Sequence, residues 1–238
     1  MLGILWSQFK KTKRHPVRYM CVSLPIIYIL AFVLMTKIWP HLYPSDLLQL
    51  YKYLLSVACL FCLSLLVPLL VEEDREIGFA HQIRVGVKRK YIWLGQWIFC
   101  ILLLLGVLIW TNILFGLVFG WWGNMTSFIL YSLQQVFYFA PVLLFYLLMA
   151  HLKGLTSTFI LGSFFTLSGI LLSSTGLGDG IWFCLPWLWP LKLAFMADQT
   201  GWLGSRDLAI GNSLLILFLW LATTLWYDRW EGLQRMED

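Results

Sequence analysis

Charge is the scarcest property of this sequence. Asp, Glu, Lys and Arg together make up only 12% of its 238 residues, while 60% are hydrophobic. Soluble domains carry charge on roughly a quarter of their residues. At half that level the chain has too few polar side chains to cover a water-facing surface. The net charge of +5 therefore does not argue for a nucleic-acid partner; the placement of the basic residues matters more than their sum.

Patterns that carry chemistry are missing too. No nucleophile elbow, HExxH helix or GxxxxGK[ST] phosphate-binding loop occurs. His15, His41, His81 and His151 are scattered, with no carboxylate at metal-ligand spacing. Cys59 and Cys62 form a CxxC, but a zinc site needs a second pair, so these thiols, with Cys21 and Cys100, read as small apolar packing residues. The glycines of 175–180 (TGLGDG) are not followed by Lys and Ser or Thr, which excludes a phosphate cradle. The chain is thus expected to be no enzyme and to bind no metal or cofactor itself. Acids and bases are absent from the apolar cores, which hold at most Asn112, Gln134, Gln135, Asn212, Thr223 and Thr224. An ion-coupled relay normally needs ionisable groups there.

What is abundant is long apolar sequence. A spanning helix needs ~20 mostly apolar residues, and six stretches qualify: 18–37, 50–71, 91–119, 128–149, 156–173 and 208–226. The predicted fold is an all-α membrane protein of about six transmembrane helices in one domain, residues 1–238. The first span is read as a retained anchor, since it is long for a signal core and no small-x-small pattern follows it. Cytoplasmic loops carry excess Lys and Arg. With the N-terminus inside, only Lys37, Lys52, Lys192 and Arg206 of the seventeen basic residues fall outside. Both termini are therefore expected in the cytoplasm.

Three further segments stand out. Residues 2–13 place Leu2, Leu5, Trp6 and Phe9 on one helical face and Gln8, Lys10 and Lys11 on the other, the pattern of an interfacial helix with lysines near anionic lipid. Residues 72–90 open with four acids, whose charge suits the first turn of a helix, and close with a basic run. Between them Ile77, Phe79, Ala80 and Ile83 give a short apolar face suited to a partner's groove. Residues 181–195 are apolar but broken by Pro186 and Pro190, so they are expected to be re-entrant or to lie at the outer surface. Trp182, Trp187 and Trp189 suit the headgroup region, and Lys192 can reach headgroups; the alternative is a cap on the helix bundle. Gly162, Thr166, Gly169 and Ser173 fall on one narrow face of the fifth span, which permits close approach by a helix of this chain or of a second copy.

This order of parts resembles the permease subunits of type-2 ABC exporters. The resemblance rests on Glu72, Glu73, Asp74, Arg75, Glu76, Ile77 and Gly78, followed by Lys88, Arg89, Lys90 and Tyr91, and on the tryptophan- and proline-rich segment before the last span. The short chain and bare loops are similar to those of lantibiotic-protection permeases. The resemblance implies a half-transporter of a bacterial cell membrane, paired with an identical or related permease. It implies cytoplasmic ABC ATPase subunits that carry ATP and Mg, docked on the stretch containing Glu72–Ala80 and Ile83. It implies an amphipathic antimicrobial peptide as substrate. Export of another drug or a glycolipid, and a non-transporting membrane scaffold, are the other functions open at this point.

Overall fold

A computed structural model describes residues 2–39, 43–76, 89–121, 123, 125–195 and 206–230. Eight α-helices are described: α1 (Leu2–Lys11), α2 (Pro16–Ile38), α3 (Pro44–Glu76), α4 (Arg89–Phe119), α5 (Met125–Lys153), α6 (Leu155–Ser174), α7 (Trp189–Phe195) and α8 (Arg206–Arg229). Among the described residues there is no strand. Six helices, α2 to α6 and α8, are long and apolar enough to cross a membrane. The protein is an all-α, multi-pass membrane protein.

Local sequence explains the helix limits. His15 caps α2: the Val17 N–H donates to His15 Nδ1 at 3.2 Å, and Pro16 occupies the first turn, where its missing N–H has no partner to lose. Gly154, at φ 80°, is the whole connection between α5 and α6. A side chain there would be strained, and its Cβ would overlap the Arg75 guanidinium.

α5 is the most buried span and the hub of the bundle, packing against α3, α4, α6 and α8. Pro141 in its middle removes an N–H and leaves the Phe137 carbonyl without its intrahelical donor. Asn212 Nδ2 of α8 donates to that carbonyl at 2.8 Å. In lipid no water can do so, which ties α8 to α5 at this level. A second polar chain joins α3, α4 and α5: Tyr51 Oη donates to Asn112 Oδ1 at 2.7 Å, and Asn112 Nδ2 donates to Ser132 Oγ at 2.8 Å. Tyr28 of α2 donates to the Tyr51 carbonyl at 2.8 Å. The Tyr51 ring stacks on Phe115 with centroids 3.8 Å apart.

The small-residue face of α6 is buried against α3 within the chain. A Cβ on Gly162 would overlap Ser64, Gly169 lies against Leu60 and Leu191, and the Ser173 and Tyr53 hydroxyls are 2.9 Å apart. Thr166 bonds back to the Gly162 carbonyl at 2.7 Å. These four residues serve helix packing inside the bundle and are covered by it. The outward faces of α2, α6 and α8 carry Leu30, Leu34, Phe164, Leu167, Leu214 and Phe218, each more than half exposed, as spans facing lipid require.

Candidate functional sites at the two ends of the bundle

At one end the basic residues of the described chain gather. α3 has 33 residues and at ~1.5 Å each rises about 50 Å, well beyond a hydrocarbon core of ~30 Å. Its last turn is Glu72–Glu76. The expectation that these acids begin a separate helix is corrected here: they stand in the last described turn of α3. Neighbouring cations lie against this turn. Lys11 Nζ of α1 lies 2.8 Å from Asp74 Oδ2 and donates to the Leu70 carbonyl at 3.4 Å. Both partners of this ion pair are largely shielded, with side-chain exposures of 24% and 13%. Arg75 Nη1 donates to the Ala150 carbonyl at 3.4 Å, capping the end of α5.

Beside this junction α4, α5 and α8 are joined by an aromatic cluster. His151 packs edge-on to Trp93 at 5.2 Å and to Trp230 at 5.7 Å. Trp93 Nε1 donates to Thr223 Oγ1 at 3.0 Å. Arg89 donates to the Trp230 carbonyl and, at 3.4 Å, to that of Asp228. α1 completes this end through Ile4, which fills the place a side chain on Gly95 would take, with Trp6 and Phe9 outward, 60% and 46% exposed. That is the disposition of an interfacial helix. Of the residues singled out for docking, Asp74 and Arg75 have inward partners and Glu72 is half-buried. Glu73 and Glu76 stand in the last described turn of α3. Ile77, Gly78, Phe79, Ala80 and Ile83 lie outside the described residues.

The opposite end is closed by residues 175–195, three short 3-10 turns leading into α7. Sequence reasoning left the tryptophans and Lys192 either at the outer surface or in a cap on the bundle; the structure packs them inward. Trp182 and Trp189 are 8% and 6% exposed. Trp187 stacks on Phe165 of α6, with centroids 4.2 Å apart and planes 4° from parallel. Lys192 Nζ lies 2.8 Å from Asp179 Oδ1 and is not directed to headgroups. Gln135 Nε2 of α5 donates to the Pro190 carbonyl at 3.1 Å, and Trp189 Nε1 to that of Phe183 at 3.2 Å. α7 packs on α3 and α6. The segment is a cap whose exposed large apolar residues are Leu177, Ile181 and Phe183. Its apolar side chains and prolines are equally suited to an interface and to a cap. The distant partners that decide, Asp179 and Gln135, leave no local signal.

Among the described residues no group of three or more His, Cys, Asp or Glu side chains is arranged to hold a metal ion. The chain matches no protein-family model, no curated protein and no solved structure.

Proposed function

We propose that this chain is the permease half of a type-2 ABC exporter of a bacterial cell membrane, driven by a separate cytoplasmic ATPase, and that it removes amphipathic, lantibiotic-type peptides from the membrane. The observation that carries this reading is the acidic run Glu72–Glu76 at the projecting end of α3, the stretch in which the resemblance to such permeases resides. Two features of α3 suit it to relay a partner's movement. Its end is clamped by the Lys11–Asp74 pair and the Arg75 contact with α5. Its shaft packs on α5, α6 and the α7 cap, so a displacement at one end would bear on all three along one continuous helix. The basic end is then the cytoplasmic one, with both termini inside. The uncharged core agrees with an amphipathic cargo, which needs no charged pocket. Two copies, or this chain and a related permease, would complete the transporter.

Purification in mild detergent from cells carrying the neighbouring genes is expected to recover an ATPase with the chain. Recovery without any ATPase would overturn the exporter reading. Co-expression with that ATPase and any paired permease in a sensitive bacterium is expected to raise resistance to a lantibiotic-type peptide. Unchanged sensitivity, with the complex intact in the membrane, would remove the peptide from the proposal and leave the exporter.

A further inference from the structure

α2 makes its main contact with α4 and a smaller one with α3. Between these helices lies a half-enclosed cavity of about 230 Å³. Its origin is legible in the residue sizes: Cys21, Ala58, Cys62 and Cys100 stand at facing positions where a helix bundle would ordinarily carry Leu or Ile, and Cys59 lies behind them. All four cysteines of the apolar spans thus line one space. They are free thiols, and they act as small apolar groups that leave room. An enclosed apolar cavity of about 150 Å³ already takes up benzene. This one is larger, and along a membrane span the apolar groups that reach such a gap are lipid acyl chains.

Charged residues lie beyond one end of the cavity. Leu70 and Cys21 mark its limit toward the basic end of the bundle. Lys11 donates to the Leu70 carbonyl and neutralises Asp74, the buried acid nearest that rim. Arg18 lies one turn before Cys21 on α2 and is exposed, its guanidinium 5.2 Å from the Phe9 ring centroid. Lys10, with its Nζ 5.7 Å from the Trp6 ring centroid, and Lys13 are exposed on α1 and the turn after it. A headgroup whose tail entered this cavity would meet these cations, and basic sites between spans favour anionic headgroups.

We infer that the α2–α3–α4 cavity seats an acyl chain of an anionic phospholipid whose headgroup is held by Arg18, Lys10 and Lys13. The site belongs to the chain itself and does not depend on the exporter reading. It gives the basic N-terminal helix a second role besides topology: α1 and the turn after it form the headgroup wall of a lipid site.

The test uses the full-length chain in bilayer discs of phosphatidylcholine doped with phosphatidylglycerol bearing a diazirine in one acyl chain, with adducts mapped by peptide mass spectrometry. Adducts are expected to concentrate on Leu63–Leu70 and Cys100–Val107, above the level on the outward faces of α6 and α8. Ala58→Phe, which fills the cavity, is expected to abolish the excess. Arg18→Gln and Lys13→Gln sit on exposed positions and leave the fold alone; each is expected to lower the preference for phosphatidylglycerol over an equally labelled phosphatidylcholine by about fivefold. Adducts spread evenly over all lipid-facing helices would overturn the inference. So would an excess that survives in a folded Ala58→Phe protein, or one that is the same for both headgroups.

Discussion

Gly162 offers the most direct test of how α3 and α6 meet. An added Cβ would overlap Ser64 Cβ and Oγ, with Tyr146 Oη 3.1 Å away. Alanine gains about 1 kcal/mol over glycine in helix propensity, whereas overpacking costs about 1–3 kcal/mol. The steric term should win, because Ser64 Cβ is fixed to the α3 backbone and cannot rotate aside. Gly162→Ala is therefore expected to destabilise the protein by up to about 2 kcal/mol net. Ser64→Gly in the same chain removes the obstruction and moves the small residue from one helix to the other. The serine hydroxyl bonds only within its own helix, to the Phe61 carbonyl at 2.7 Å, so its loss should add little. Unfolding of the purified chain in mixed micelles, followed by tryptophan fluorescence as SDS is titrated in, measures all three variants against the parent. A coupling energy of about 1 kcal/mol or more in the cycle is expected. Additivity within about 0.5 kcal/mol would refute close packing of Gly162 on Ser64. A single variant that unfolds like the parent yet dissociates an oligomer would place the α6 face between copies.

Four other outcomes are expected. Asn212→Leu should cost about 1–2 kcal/mol by stranding the Phe137 carbonyl, and adding Pro141→Ala should recover part of it, because alanine returns the N–H that the carbonyl lost; the same SDS titration reads both. Asp74→Asn should lower stability by about 1–3 kcal/mol, and Lys11→Met added to it should cost little more if the two side chains act as a pair. Reversing Glu73 and Glu76 to Lys should abolish peptide resistance and substrate-stimulated ATPase activity while membrane insertion, read by protease accessibility of the loops, is unchanged; wild-type activity would contradict docking at this stretch. Trp189→Ala should cost about 3 kcal/mol or more as a buried indole is lost, with assembly and resistance falling together; loss of resistance alone, in a fully stable protein, would return the segment to substrate handling.

The six spans were legible because membrane insertion depends on a local property, about twenty apolar residues in a row, and each stretch read from sequence falls within an observed helix. The ends of α3 were not. The sequence marks where hydrophobicity stops, near Val71, but the helix runs on at least to Glu76, and Lys11, from a helix sixty residues earlier in the chain, pairs there with Asp74. The same distinction separates the two uses of tryptophan. An indole at a membrane interface and an indole packed under a cap have the same sequence surroundings; Trp187 is assigned by Phe165, and Lys192 by Asp179. The spacing of Gly162, Thr166, Gly169 and Ser173 marked a close-approach face and left open whether a helix of this chain or of a second copy meets it, since small residues specify how near a helix can come and not which helix comes. The four intraspan cysteines show the reverse limit. Each reads as packing when taken alone, and each does pack; only their convergence around one cavity reveals that together they keep a space open. Properties set by a run of neighbours can be read along the chain, while properties set by what is absent between helices require the helices to be placed.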